Sequence, residues 1–107
     1  MQHITAPELA ALLADGSGTA RVLLDVREPW EYQTCRIEGA VSIPMNTIPD
    51  QLTQLDKDTA IVCVCHHGAR SMRVAHFLES QGYTQVTNLT GGIHAWAQQV
   101  DPAMPTY

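Results

Sequence analysis

The stretch from Ile61 to Leu78 constrains the fold more than any other in the chain. Ile61 to Val64 is an apolar, β-branched run, the pattern of a buried strand. It stops at Cys65. The next residues, His66-His67-Gly68-Ala69-Arg70, are poor strand formers. From Ser71 the spacing turns helical, with Met72, Ala75 and Leu78 on one side and Val74 and Phe77 beside them. A strand that ends on a cysteine, a short loop and a helix start together make a chemical device. Inward loop amides and the helix N-terminus both put partial positive charge near the sulfur. That field favours thiolate over thiol, and it suits an anion seated above the sulfur. Arg70 adds a permanent charge and a planar fork matched to an oxyanion.

Strand and helix patterns alternate on either side of this unit. Ile4 suits a short edge strand, and Thr5-Ala6-Pro7-Glu8 reads as a capping box opening a helix. Leu9, Leu12 and Leu13 give that helix an apolar stripe, and Asp15-Gly16-Ser17-Gly18 ends it. Strands are expected at Arg21–Val26, Ala40–Ile43, Ala60–Val64 and Gln85–Leu89. Helices are expected at Pro29–Tyr32, Ile48–Leu55 and Ser71–Gln81, the last closed by Gly82. Gly91-Gly92 leads into a final helix holding Trp96, and Asp101–Tyr107 reads as a loose tail. Continuous apolar strands such as Val22-Leu23-Leu24 suit a sheet covered on both faces. The alternation predicts an α/β structure with a mostly parallel five-stranded sheet, and its active site belongs at the carboxyl ends of the strands.

At 107 residues the chain fits one domain, 1–107, with no internal repeat and no linker. The net charge of −5 disfavours nucleic acid or an anionic membrane as partner. Attraction for an anion must therefore be local, made by the loop after Cys65. No apolar run is long enough to span a bilayer, and Met1-Gln2-His3 does not open a signal peptide. Three cysteines suit a disulfide framework poorly, so a reducing cytoplasm is the expected compartment.

Four motifs carry a family resemblance. Cys65-His66-His67-Gly68-Ala69-Arg70-Ser71 resembles the active-site loop of the rhodanese family, Cys-x-x-Gly-x-Arg-Ser. Leu23 to Tyr32, Ile37 to Pro44, and Gly91 to Trp96 match the family's other signatures in the same order. The resemblance implies a three-layer rhodanese-like fold, with helices on both faces of the sheet. It implies a thiosulfate sulfurtransferase in which Cys65 is the nucleophile and carries a persulfide or, as the alternative, a persulfide carrier or regulatory module acting on a partner protein. Arg70, His66, His67, Gly68, Ala69 and Ser71 would bind substrate, chiefly through loop amides. Asp25 and Arg27 would be supporting residues, the aspartate tying loop backbone and the arginine pairing with neighbouring acids. The partners implied are a small anionic sulfur donor and a thiophilic acceptor such as cyanide, a thiol or a sulfur-accepting protein. No metal or organic cofactor is implied. Six positions from Cys65 to Arg70 match the sulfurtransferase branch. The related phosphatases and arsenate reductases use a loop one residue longer.

The remaining candidates have plainer readings. Cys63 belongs to the strand and the core. Trp30 and Trp96 read as packing residues. Arg27 could instead make a surface pair with Glu28 or Glu31. Two adjacent histidines beside a cysteine can suggest a metal site, but a loop closed around one sulfur leaves little room for convergent ligands. Cys35-Arg36-Ile37-Glu38-Gly39-Ala40 departs from the family's Gly-His-Ile-Pro-Gly-Ala, which alters the local turn and rim. Cys35 is either an inert packed thiol or a second redox thiol near Cys65.

Overall fold

The computed structural model describes residues 1–15 and 21–107. Its elements in chain order are β1 (Gln2–Ile4), α1 (Ala6–Asp15), β2 (Arg21–Asp25), α2 (Pro29–Thr34), β3 (Val41–Ser42), a 3₁₀ segment (Met45–Gln54), β4 (Ala60–Val64), α3 (Ala69–Ser80), β5 (Val86–Leu89) and α4 (Gly92–Gln99). The strands form one sheet in the order β1-β5-β4-β2-β3, and every pairing is parallel. β4 is central, with Leu23 opposite Val62, Asp25 opposite Val64, and Cys63 opposite Asn88.

Side chains on a strand point alternately to opposite faces, and β4 shows the consequence. Val62 and Val64 join an apolar layer with Leu9 of α1 and with Ile93, Trp96 and Ala97 of α4. Ile61, Cys63 and Cys65 join the opposite layer with Ile48 of the 3₁₀ segment and with Val74, Ala75 and Leu78 of α3. The sheet is thus covered on both faces. Among the described residues no helix is long and apolar enough to cross a membrane.

Local chemistry sets most element ends. At the start of α1 the Thr5 amide donates to Glu8 Oε1 (2.9 Å) and the Glu8 amide to Thr5 Oγ1 (3.3 Å), the reciprocal bonds of a capping box. α3 closes with the Gly82 amide on Glu79 O and the Tyr83 amide on Leu78 O. The expected stop at Gly16-Ser17-Gly18 lies outside the described residues.

Three expectations change. The helix expected over Ile48–Leu55 starts earlier and is a 3₁₀ helix, Met45–Gln54, with Pro49 as its fifth residue. Proline has no N–H to donate to an i−4 carbonyl, and its ring crowds that carbonyl. Met72 shares the helical spacing of Ala75 and Leu78 but is 39% exposed, and Trp30, expected in core or shoulder packing, is 58% exposed. The tail is not loose: Met104 is buried in the layer under α1 and α4, and Tyr107 folds back onto the carboxyl ends of the strands, where its hydroxyl meets Arg27 and Glu31.

Candidate active site

The carboxyl edge of the sheet gathers β2's Asp25, the residue after β4, Cys65, and the turn after β5. Backbone bonds lock these ends together. The Val26 amide donates to Val64 O at 2.9 Å, and the Ile93 and His94 amides donate to Cys65 O (2.8 Å) and His66 O (3.0 Å). Gly92 makes the last approach possible. A β-carbon there would lie 2.4 Å from Cys65 O and 2.5 Å from His66 O, far inside contact distance.

Cys65 sits at the base of its loop, 1% exposed. Its enclosure is polar. The Gly68 amide donates to Sγ at 3.0 Å, and Ser71 Oγ lies 3.3 Å away. Gly68 is the residue before α3 and has φ +110°, a conformation that side chains resist. That turn aims its amide back at the sulfur. Among the described residues, no protein acceptor meets the amides of His66, His67, Ala69 or Arg70, which leaves them free for a ligand. Two of these open α3, where helix amides are unpaired by construction.

Ser71 lies in the first turn of α3, whose cap position is Gly68. Its hydroxyl reaches Cys65 Sγ, Gly68 O (3.2 Å) and Asn88 Oδ1 (2.5 Å). A hydroxyl has one proton, so a negative sulfur and the amide compete for it. Asn88, 2% exposed on β5, is a site residue that the sequence reading missed. The available signal was a polar residue inside the run Val86-Thr87-Asn88-Leu89, because a buried amide needs partners.

Two arginine–carboxylate pairs flank the loop. Arg27 is fully buried and holds Asp25 through Nε (2.9 Å) and Nη2 (2.6 Å). The Arg27 amide also donates to Asp25 Oδ1 at 3.1 Å, so the aspartate does tie loop backbone. Burial opposes the charge on Arg27, yet its hydrogen bonds to Asp25 and Tyr107 hold its pKa above the ordinary value. A surface pair with Glu28 or Glu31 is therefore excluded for this residue. Arg70 meets Glu31 bidentately, Nη1 to Oε1 at 2.6 Å and Nη2 to Oε2 at 2.8 Å. The fork expected to face an incoming oxyanion is thus held by a carboxylate. Hydrogen bonding to Arg70, only partly opposed by burial, pulls the Glu31 carboxyl down to about 2. The same bond raises the Arg70 pKa.

Above the loop the aromatic rings form a stack. His66 lies against Tyr107 with centroids 4.3 Å apart, and against His67 at 4.1 Å. His94, from the first turn of α4, stands 4.9 Å from His67. Burial, with His67 next to it, holds the His66 imidazole below its ordinary pKa. Tyr107 also makes an edge contact with Trp30 at 5.3 Å.

The other cysteines separate by environment. Cys63 is 0% exposed, and burial pushes its thiol up to about 12, which suits a core residue. Cys35 packs in the layer opposite Cys65 and receives a long contact from Arg27 Nη1 at 3.8 Å.

A cysteine at the carboxyl end of a central parallel strand, an amide donor on its sulfur and a helix opening beyond it can stabilise and present a nucleophilic sulfur. Residues 5–99 match the family model of the rhodanese-like domain. A sulfurtransferase of Allochromatium vinosum is 38% identical over 98 residues, covering 92% of this chain and 90% of that protein. The rhodanese-like/PpiC domain-containing protein 12 of Arabidopsis thaliana is 40% identical over 89 residues, 79% of this chain but only 30% of that longer protein. The crystal structure of a rhodanese-like domain protein from Staphylococcus aureus superposes with a TM-score of 0.83 at 38% identity, covering 90% of this chain and 91% of that one. With the site built on the loop that carries the family's pattern, and the match running through nearly the whole fold, the chain belongs to the rhodanese-like family of sulfurtransferases.

Proposed function

We propose that the protein is a thiosulfate sulfurtransferase that works through a persulfide on Cys65. The thiolate attacks the outer sulfur of thiosulfate, or of a similar sulfane donor. A new S–S bond forms, the donor's S–S bond breaks, and sulfite leaves with its electron pair. Cyanide or a thiolate then attacks the terminal sulfur and releases the Cys65 thiolate. Two half-reactions through a covalent enzyme give ping-pong kinetics.

The observation that carries this reading is the Gly68 amide aimed at Cys65 Sγ at 3.0 Å, with Ser71 Oγ at 3.3 Å. Donors already oriented toward a sulfur anion need no rearrangement as charge moves between thiolate and persulfide. The free amides of His66, His67, Ala69 and Arg70 offer the donor anion a local seat in a chain whose net charge is −5. Arg70 supplies positive charge at the rim, tempered by Glu31.

Mass spectrometry after thiosulfate treatment tests the proposal. The wild type should gain the mass of one sulfur atom and lose it on a cyanide chase. Cys65→Ser should neither gain that mass nor turn over. Sulfur transfer by Cys65→Ser near the wild-type rate would end the assignment.

A further inference from the structure

We propose that His66, His67 and His94 form a binding site for one Zn²⁺ ion at the mouth of the Cys65 loop. Their imidazoles place one ligand nitrogen each within 4.8 Å of the others. Three imidazoles with an open fourth position are a donor set that zinc takes readily. Zn–N bonds near 2.0–2.1 Å would bring the nitrogens to about 3.3 Å apart in a tetrahedral site. Closing that gap asks for modest side-chain rotation, and His67 is exposed and free to make it.

The backbone holds the three ligands together before any metal arrives. His66 and His67 are adjacent on the Cys65 loop. His94 comes from a different element, α4, and its amide is bonded to His66 O at 3.0 Å. Next to it, the Ile93 amide is bonded to Cys65 O at 2.8 Å. The missing β-carbon of Gly92 lets α4 approach this closely. A site tied by two main-chain bonds loses little backbone entropy when an ion binds. A loop around a single sulfur has no room for convergent ligands, but the third ligand here is supplied from outside the loop. The inference concerns imidazole ligands and stands apart from the sulfur chemistry.

Titration of the metal-free chain with Zn²⁺, in competition with a chromophoric chelator, tests the site. The wild type should bind one ion per chain. Cys65→Ser should bind with the same affinity, because the thiol is not a ligand. His94→Ala and, independently, the surface variant His67→Ala should each weaken binding at least about tenfold, the usual scale for a change within a metal's immediate surroundings. Co²⁺ should give tetrahedral visible bands without sulfur-to-metal charge transfer in the wild type. No binding by the wild type, loss of binding in Cys65→Ser, or full affinity in both histidine variants would each overturn the proposal.

Discussion

The two arginine–carboxylate pairs share a chemistry and differ in burial. In Arg27–Asp25 the side chains are 0% and 1% exposed; in Arg70–Glu31 they are 32% and 5% exposed. Arg27 gives its donors to Asp25, to Cys35 O (2.7 Å), to Glu31 O (3.3 Å) and to Tyr107 (2.9 Å). It thereby joins the end of β2, the end of α2 and the chain's last residue. Among the described residues the Arg70 guanidinium hydrogen-bonds Glu31 alone, from the half-open rim of the Cys65 loop. A guanidinium with every donor committed cannot turn to a substrate. One held at the rim by a single carboxylate can be drawn away by an anion. Burial, more than pairing geometry, separates scaffold from site.

Breaking the inner pair should have the largest effect. Asp25→Ala leaves a buried guanidinium without its counter-charge and should cost about 3–5 kcal/mol, read as a shift in the urea midpoint. A loss under about 1 kcal/mol would put the inner pair on the same footing as the outer one. Arg70→Ala should cost less stability than Asp25→Ala, because Glu31, though buried, keeps the Glu28 amide and the Tyr107 hydroxyl as donors. Its main effect belongs to the donor, with the thiosulfate KM rising about tenfold, equivalent to about 1.4 kcal/mol. An unchanged KM would remove Arg70 from donor binding and leave the loop amides alone in that role.

Acid sharpens the contrast further. The Glu31 carboxyl is lowered from 4.5 to about 2 in the fold. The unfolded chain therefore binds the proton first as pH falls, and stability contributed by the outer pair is present above about 4.5 and lost on the way down through about 2. Urea midpoints of the wild type should fall across that window. Glu31→Gln should flatten the fall, and an equally steep decline in the variant would assign it to other carboxylates.

The sheet was legible because its strands are continuous apolar runs, and the cysteine loop because a strand, a glycine and a helix fall in fixed sequence order. What the sequence hid depends on distant parts of the chain. Asn88 meets Ser71 from a neighbouring strand, and His94 meets His67 only because the turn after β5 presses α4 onto the loop. Tyr107 reads as part of a polar, proline-bearing tail, and nothing local says that its hydroxyl lands between two ion pairs. The 3₁₀ segment misled for a simpler reason. Ile48, Leu52 and Leu55 satisfy helical spacing, but the segment begins at Met45, and Pro49 cannot give the bond back to Met45 O that an α-helix running from there would need.

Tyr107 is where the two pairs meet, so it offers the smallest and finest test. Its hydroxyl accepts from Arg27 Nη1 at 2.9 Å and donates to Glu31 Oε2 at 2.8 Å. Tyr107→Phe keeps the ring on His66 and Trp30 and removes only this bridge, at a cost of about 1 kcal/mol. Alkali should then distinguish the two proteins. Burial pushes the phenol from 10 up to about 12, so the unfolded chain gives up the proton first as pH rises. The stability it contributes is full below about 10 and lost toward about 12. Tyr83, whose pKa burial also raises, adds to any decline there, so the readout is the difference between wild type and Tyr107→Phe. That difference should shrink as the phenol ionises, because an ionised oxygen no longer donates to Glu31. A difference constant across the window would mean that the bridge carries no proton-dependent coupling, and that scaffold and rim are joined by the ring's packing alone.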